Sequence, residues 1–261
     1  MEHLYRVSHA GEIFHAVERD GELRRARPLD GSVFNGYTAA DPIAGGLASV
    51  KVLAPVRPSK IVCIGQNYRD HARELGKPVP AEPLLFMKPP SAVLDPGETI
   101  LLPPGVGRVD YEGELAVVIG RRAHRVRAAD AWDHIFGLTC VNDVTARELQ
   151  SKDVQYTRAK GFDTFAPIGP SIARGLGSGP RAVHTRLNGE TRQASDTSQL
   201  IFSVETLVEF ITFVMTLEPG DVISTGTPAG VGPLADGDTV AVTVAGVGEL
   251  VNSVRSEPGR R

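Results

Sequence analysis

Three carboxylates are the most suggestive reactive groups in the sequence. Asp110-Tyr111-Glu112-Gly113-Glu114 leads directly into the apolar run Leu115–Ile119. Residues i and i+2 of a strand point to the same face, so Glu112 and Glu114 project two carboxylates side by side. Two like charges at that spacing repel unless something cationic lies between them. Asp143 closes the next apolar run, Leu138–Asn142, and supplies a third carboxylate. With no His or Cys nearby, such a set suits a hard, oxygen-preferring Mg²⁺ or Mn²⁺, leaving about three of six positions for water or substrate. Taken alone, Glu-x-Glu also marks a solvated strand edge.

Three further clusters carry polar chemistry. In Asn67-Tyr68-Arg69-Asp70-His71-Ala72-Arg73-Glu74, His71 and Glu74 are three residues apart. On a helix they share a face, where the carboxylate can orient the imidazole and raise its basicity for activating water. A surface helix with solvated charges has the same pattern. Lys160, within Arg158–Phe165, can bind a substrate carboxylate or offset negative charge, because three carboxylates and one divalent ion still sum to a single negative charge. Ser224–Gly232 reads as a strand end entering a Gly-rich loop, where backbone N–H groups and the Thr227 hydroxyl can meet an anion. A plain turn is the alternative. The sequence has no nucleophile elbow, phosphate loop, His-Glu-x-x-His helix or dinucleotide fingerprint, so nucleotide cofactors lack support.

The elements that must position these groups are mostly strands. Short candidates are 12–17, 22–25, 60–65, 84–87, 112–119, 136–141, 183–187, 221–224, 239–244 and 249–254, separated by Gly, Pro and Asp turns. That spacing predicts a β-rich mixed α/β fold and not regular βαβ units. Residues 1–57 read as a small N-terminal β domain without a chemical motif, set off by Ala54-Pro55-Val56-Arg57-Pro58 from a catalytic domain over 58–261. The clearest helix spans 203–216, with an apolar stripe of Val204, Leu207, Val208, Ile211, Val214 and Met215 behind a Ser203 N-cap. Shorter helices are expected over 68–75 and 128–134.

Composition narrows the class. With 28 Gly and 19 Pro in 261 residues the chain is loop-rich, and 41% hydrophobic residues suffice for a sizeable core. A net charge of −3 with dispersed Lys and Arg argues against nucleic acid. Cys63 and Cys140 lie inside apolar runs and read as small buried hydrophobes. No secretory leader or membrane-spanning run is visible, which sets the expectation of a cytoplasmic protein.

Six segments, in this order, resemble the fumarylacetoacetate hydrolase family: Ile64–His71, Tyr111–Gly120, Val141–Arg147, Lys160–Pro167, Asn188-Gly-Glu190 and Ser224–Gly232. The resemblance covers about Lys60 to Arg255 and does not reach the first 57 residues. It implies a β-sandwich/roll with a few short helices, a homodimer, and Mg²⁺ or Mn²⁺ held by Glu112, Glu114 and Asp143. It also implies a His71/Glu74 acid–base dyad on a lid segment, Lys160 near the metal, and substrate contacts from Thr227 and Gly226 in the loop and from Asn67 and Tyr68. The implied substrate is a small anionic 2-oxo or 1,3-diketo carboxylate, handled through a metal-stabilised enolate. The reaction is then C–C hydrolysis, as for an acylpyruvate, or isomerisation or decarboxylation, as for a 2-hydroxyhepta-2,4-diene-1,7-dioate, in aromatic-compound catabolism. A phosphoryl-transfer enzyme, or a metal-binding β protein without catalysis, are the alternatives, and neither a nucleic-acid nor a membrane partner is expected.

Overall fold

Apolar residues at a spacing of two build strands along almost the whole chain, as the computed structural model shows for residues 1–259 other than Leu75 and Lys77. The first four strands, β1 (Glu2–His9), β2 (Glu12–Arg19), β3 (Glu22–Asp30) and β4 (Ser32–Pro42), form an antiparallel meander, and β5 (Lys51–Leu53) pairs with β1. The Asp20-Gly21 turn between β2 and β3 has both residues at positive φ, the backbone that suits a tight hairpin. Strands β6 (Ile61–Gly65), β7 (Leu84–Lys88), β8 (Val93–Leu94), β9 (Thr99–Leu102), β10 (Val109–Tyr111) and β11 (Gly113–Ile119) follow. Next come β12 (Ile135–Asn142), β13 (Thr145–Ala146), β14 (Ala166–Arg174), β15 (Ala182–Leu187) and β16 (Glu190–Asp196). The last four are β17 (Val222–Ser224), β18 (Gly232–Pro233), β19 (Thr239–Val244) and β20 (Gly248–Ser256).

The strands make three sheets. The largest has 12 strands in the order β4-β3-β2-β1-β14-β12-β11-β17-β6-β7, with β5 on β1 and β8 on β14. A 5-stranded sheet runs β16-β15-β19-β20-β9, and a 3-stranded one runs β13-β10-β18. Strand β11 is buried on both faces, which is why its sequence is a continuous apolar run. Leu115, Val117 and Ile119 share a core with Val242, Val244 and Leu250 of the 5-stranded sheet, whereas Ala116 and Val118 share another with Leu4, Val17, Ile168 and Ile172. The strands of residues 1–57 therefore continue the same sheet: β1 pairs with β14, Leu4 opposite Ile172.

Helices are short: α1 (Arg69–Glu74), α2 (Arg147–Lys152), α3 (Thr157–Lys160) and α4 (Val204–Val214). The expected end of α1 at Leu75 lies outside the described residues. Helix α4 starts at its Ser203 cap, whose Oγ accepts from the Thr206 N–H, and buries Val204, Leu207, Val208 and Ile211. Its stripe ends one turn earlier than the sequence suggests. Met215 is already extended and Val214 is exposed, while Thr212 turns inward and its Oγ1 accepts from the Val126 N–H. Residues 128–134 form a 3₁₀ helix. Strand β14, which carries Pro167 and Pro170, is not among the strands expected from sequence. Its pairing with β12 shifts register between Leu138 and Cys140, next to the residue that has no N–H to donate. Cys63 and Cys140 are free and buried, and among the described residues no helix is long and apolar enough to cross a membrane.

Candidate metal centre and active site

Sheet register assembles the carboxylates. Gly113 pairs with Asn142 and Glu114 with Val141, so the next backbone bond runs from the Asp143 N–H to the Glu112 carbonyl. Glu112, Glu114 and Asp143 thereby converge, each offering an oxygen within 4.8 Å of the others, and all three are buried. Gly113 is required between the two glutamates because it faces the opposite layer. A Cβ there would lie 2.0 Å from Thr185 Oγ1 and 3.2 Å from Val242. Glu114 is held by the Ser224 hydroxyl at 2.5 Å and the Gly226 N–H at 2.8 Å.

Three cations surround the cluster. Lys160 Nζ donates to Glu112 at 2.8 Å and to Asp143 at 2.5 Å, and it lies 4.8 Å from the centre of the Phe86 ring. Lys88 Nζ donates to the other Asp143 oxygen at 2.6 Å and to the Val144 carbonyl at 2.9 Å. Arg147 reaches Glu112 at 2.6 Å and Asp110 at 2.8 Å. Burial works to raise the Glu112 carboxyl, but Lys160 and Arg147 outweigh it and hold the group below the usual carboxylate range. Glu114 goes the other way: burial, then Asp143 and Glu112, push it well above that range. Burial lowers the Lys88 ammonium, with Asp143 acting against it.

The asymmetry between the two glutamates is the test of metal fit. Among the described residues Glu114 has no ion-pair partner, so a set of hard oxygen donors is complete in geometry but short of positive charge at one corner. A divalent cation supplies what is missing, and the residues present fit Mg²⁺ or Mn²⁺.

A cavity of about 430 Å³ opens in front of Glu112, Glu114 and Lys160, with His71, Arg147 and Thr227 in its wall. His71 is buried, and its Nδ1 lies 2.9 Å from Glu74 Oε2. With Nδ1 given to the carboxylate, Nε2 is the nitrogen left with a lone pair for the cavity. The other Glu74 oxygen accepts the Gly230 N–H at 3.1 Å, which ties α1 to the loop after β17. That loop, expected to bare its N–H groups to a ligand, gives two of them to the carboxylates of Glu114 and Glu74. Its glycines are required by protein neighbours: a Cβ at Gly226 would meet Asn67 at 2.7 Å, and one at Gly230 the Arg192 carbonyl at 2.1 Å.

Of the ten residues singled out from sequence, His71, Glu112, Glu114, Lys160 and Thr227 line the cavity, with Glu74 and Asp143 directly behind them. Thr227 Oγ1 donates to the Gly113 carbonyl and accepts from Gln193 Nε2. Asn67 and Tyr68 are fully buried away from the wall. Asn67 donates to the Phe202 and Thr225 carbonyls and accepts from the Phe202 N–H, which anchors the start of α1 to the strand end carrying Ser224. Lys88 and Arg147 were missed. A lysine ending the apolar strand Leu84–Met87, and an arginine four residues after Asp143, were the signals available.

With this geometry in hand, similarity to other proteins becomes informative. A sequence profile described as the fumarylacetoacetate hydrolase C-terminal region matches residues 60–255. The oxaloacetate tautomerase YisK of Bacillus subtilis is 44% identical over 223 residues, covering 80% of this chain and 74% of that protein. The crystal structure of 2-hydroxyhepta-2,4-diene-1,7-dioate isomerase from Mycobacterium marinum is 41% identical with a TM-score of 0.88, over 98% of this chain and 99% of that one. Fumarylpyruvate hydrolase from Pseudomonas aeruginosa, solved with Mn²⁺ and pyruvate, is 34% identical with a TM-score of 0.72, over 82% of this chain and 94% of that one.

Proposed function

The chain belongs to the fumarylacetoacetate hydrolase family, and from that premise we propose that it is a Mg²⁺- or Mn²⁺-dependent enzyme that moves protons on a small 2-oxo dicarboxylate, with enol–keto tautomerisation as its main reaction. The observation that carries the reading is the His71–Glu74 pair at the wall of the cavity that Glu112, Glu114 and Lys160 also line. A cation held by Glu112, Glu114 and Asp143 would polarise the keto and carboxylate oxygens of the substrate. Lys88, Lys160 and Arg147 already match the three carboxylates in charge, so the loaded pocket is two charges positive and suits a dianion. Lys160 and Arg147 bind the substrate's carboxylates. His71, oriented by Glu74, takes a proton through Nε2 and returns it, while Thr227, hydrogen-bonded to the Gly113 carbonyl and Gln193, shapes the wall on the loop side.

A second reading is hydrolysis of the carbon–carbon bond in an acylpyruvate-like acid. It is favoured by the same oriented imidazole, which can activate water as well as it can accept a proton from carbon, and by similarity to the fumarylpyruvate hydrolase. One panel separates them: tautomerisation and decarboxylation of oxaloacetate, and cleavage of an acylpyruvate, each with Mg²⁺, Mn²⁺ or chelator. Tautomerisation is expected to dominate, to stop in chelator and to return with metal. His71→Ala should keep Mn²⁺ affinity and lose about 10²–10⁴-fold in rate. Faster acylpyruvate cleavage would establish the second reading, and turnover indifferent to chelator would remove the metal from both.

A further inference from the structure

Among the described residues, two buried charges of this fold have no ion-pair partner, Glu114 and Arg6. Lys88 and Lys160 meet Asp143 and Glu112, Arg108 and Arg147 meet Asp110, Lys60 meets Asp221, and Glu114 takes two hydrogen bonds. Arg6 is only 9% exposed, yet it makes one long hydrogen bond, from Nη1 to the Ala54 carbonyl at 3.4 Å, and no ion pair. The guanidinium carries five N–H donors in a planar fork, and its nitrogens without a protein acceptor are accessible from the cavity and open to a ligand. Burial, followed by the nearby Arg57, disfavours its charge, and Asp95 only partly offsets them.

The guanidinium is not sealed in. Arg6, opposite His15 on β2 and Leu53 on β5, lines a cavity of about 470 Å³ that shares no residue with the metal cavity. Its walls include Val56, Pro58, Pro90, Val93 and Leu94, with the exposed Arg57 at the rim. Two carboxylates also line it: Asp95 accepts the Ala54 N–H at 2.8 Å, and Glu98 is paired with Lys51. Two guanidinium groups against one uncompensated carboxylate leave a single positive charge among apolar walls. We propose that this cavity is a second ligand site, binding a monocarboxylate with an apolar body, its carboxylate on Arg6 and Arg57 and its body against Val56, Pro90 and Leu94. The proposal does not rest on the reaction at the metal centre.

Benzoate is a suitable probe. Calorimetric titration of the Mg²⁺-loaded protein should saturate, with the same affinity in an Arg147→Ala variant. Affinity should fall at least tenfold in Arg6→Gln and about threefold or more in Arg57→Ala. A crystal soaked in 4-bromobenzoate should place the halogen between Val56 and Leu94. If circular dichroism shows Arg6→Gln unfolded, Ser91→Trp, which fills the cavity from an exposed position, should abolish binding instead. Absence of saturation, or binding lost in Arg147→Ala but kept in Arg57→Ala, would overturn the proposal. So would water bridging Arg6 to Asp95 in the benzoate-soaked crystal, or an acidic side chain of a second copy seated on Arg6.

Discussion

Asp143 is flanked by two buried lysines, one on each oxygen, and this arrangement makes Lys88 the most consequential residue that sequence reading passed over. Removing Lys88 leaves Asp143 paired with Lys160 but takes the charged donor from its other oxygen, at a cost of about 1–3 kcal/mol. Lys88→Met, which keeps the length of the side chain, is therefore expected to lower unfolding free energy by about 1–3 kcal/mol in urea titration, beyond the effect of an exposed lysine such as Lys152. Sequence made the carboxylates legible because Glu-Gly-Glu and a terminal Asp stand at the ends of apolar runs. Their cations were less visible: Lys88 and Arg147 come from β7 and the start of α2, and nothing local marks a lysine as turning inward. Only the sheet order, which brings β7 onto β6 and β6 onto β17, carries that information.

At the level of elements, β11 shows how one strand serves two masters. Its even positions continue the metal face, and its odd positions pack on the 5-stranded sheet, with Gly113 at the tightest point. Gly113→Ala should cost about 1–3 kcal/mol, as overpacking does, and weaken Mn²⁺ affinity by displacing both neighbouring carboxylates. The Thr185 hydroxyl it would strike is buried and has no hydrogen-bond partner among the described residues, so Thr185→Ala should be nearly neutral. The double variant should recover part of the loss in both melting temperature and metal titration, and no recovery would place the obstruction at Val242 instead. The strands with clean apolar runs or alternation, such as β6, β11, β12 and β19, were readable in advance. Strand β14 was not, since two prolines argue locally for turns and only its neighbours β1 and β12 make it a strand.

For the whole molecule, the division near residue 57 is a matter of function more than of folding, in our proposal. The family profile match begins at residue 60, yet Leu4, Val17, Ala26 and Val33 fill the same core as Ile61, Ile168 and Ile172. A fragment beginning at residue 58 should expose that core and the unpaired edge of β14, and should aggregate on expression. A soluble fragment with a sharp unfolding transition would show that the boundary separates folding units as well. His15, in the same meander, is held below the usual imidazole range by burial, with its contact to the Pro55 carbonyl acting against that and Arg6 adding to it. Its neutral form is the one the fold accepts. That stability is present above the unfolded value, near 6.5, and is lost as pH falls from there toward the folded one, because the unfolded chain takes up the proton first. His15→Gln should flatten the decline in stability between about pH 7 and pH 5 in denaturant titrations.

The loop after β17 gives its Gly226 N–H to Glu114 and its Gly230 N–H to Glu74, the carboxylate beside the His71 imidazole. In our proposal, the cation that Glu114 would hold and the helix that bears His71 thus lean on a single abutment, five residues long. Whatever favours one seating of that loop favours both tenants, and thermodynamic reciprocity requires the influence to run equally in each direction. Metal occupancy and the seating of α1 would then be two readings of one equilibrium.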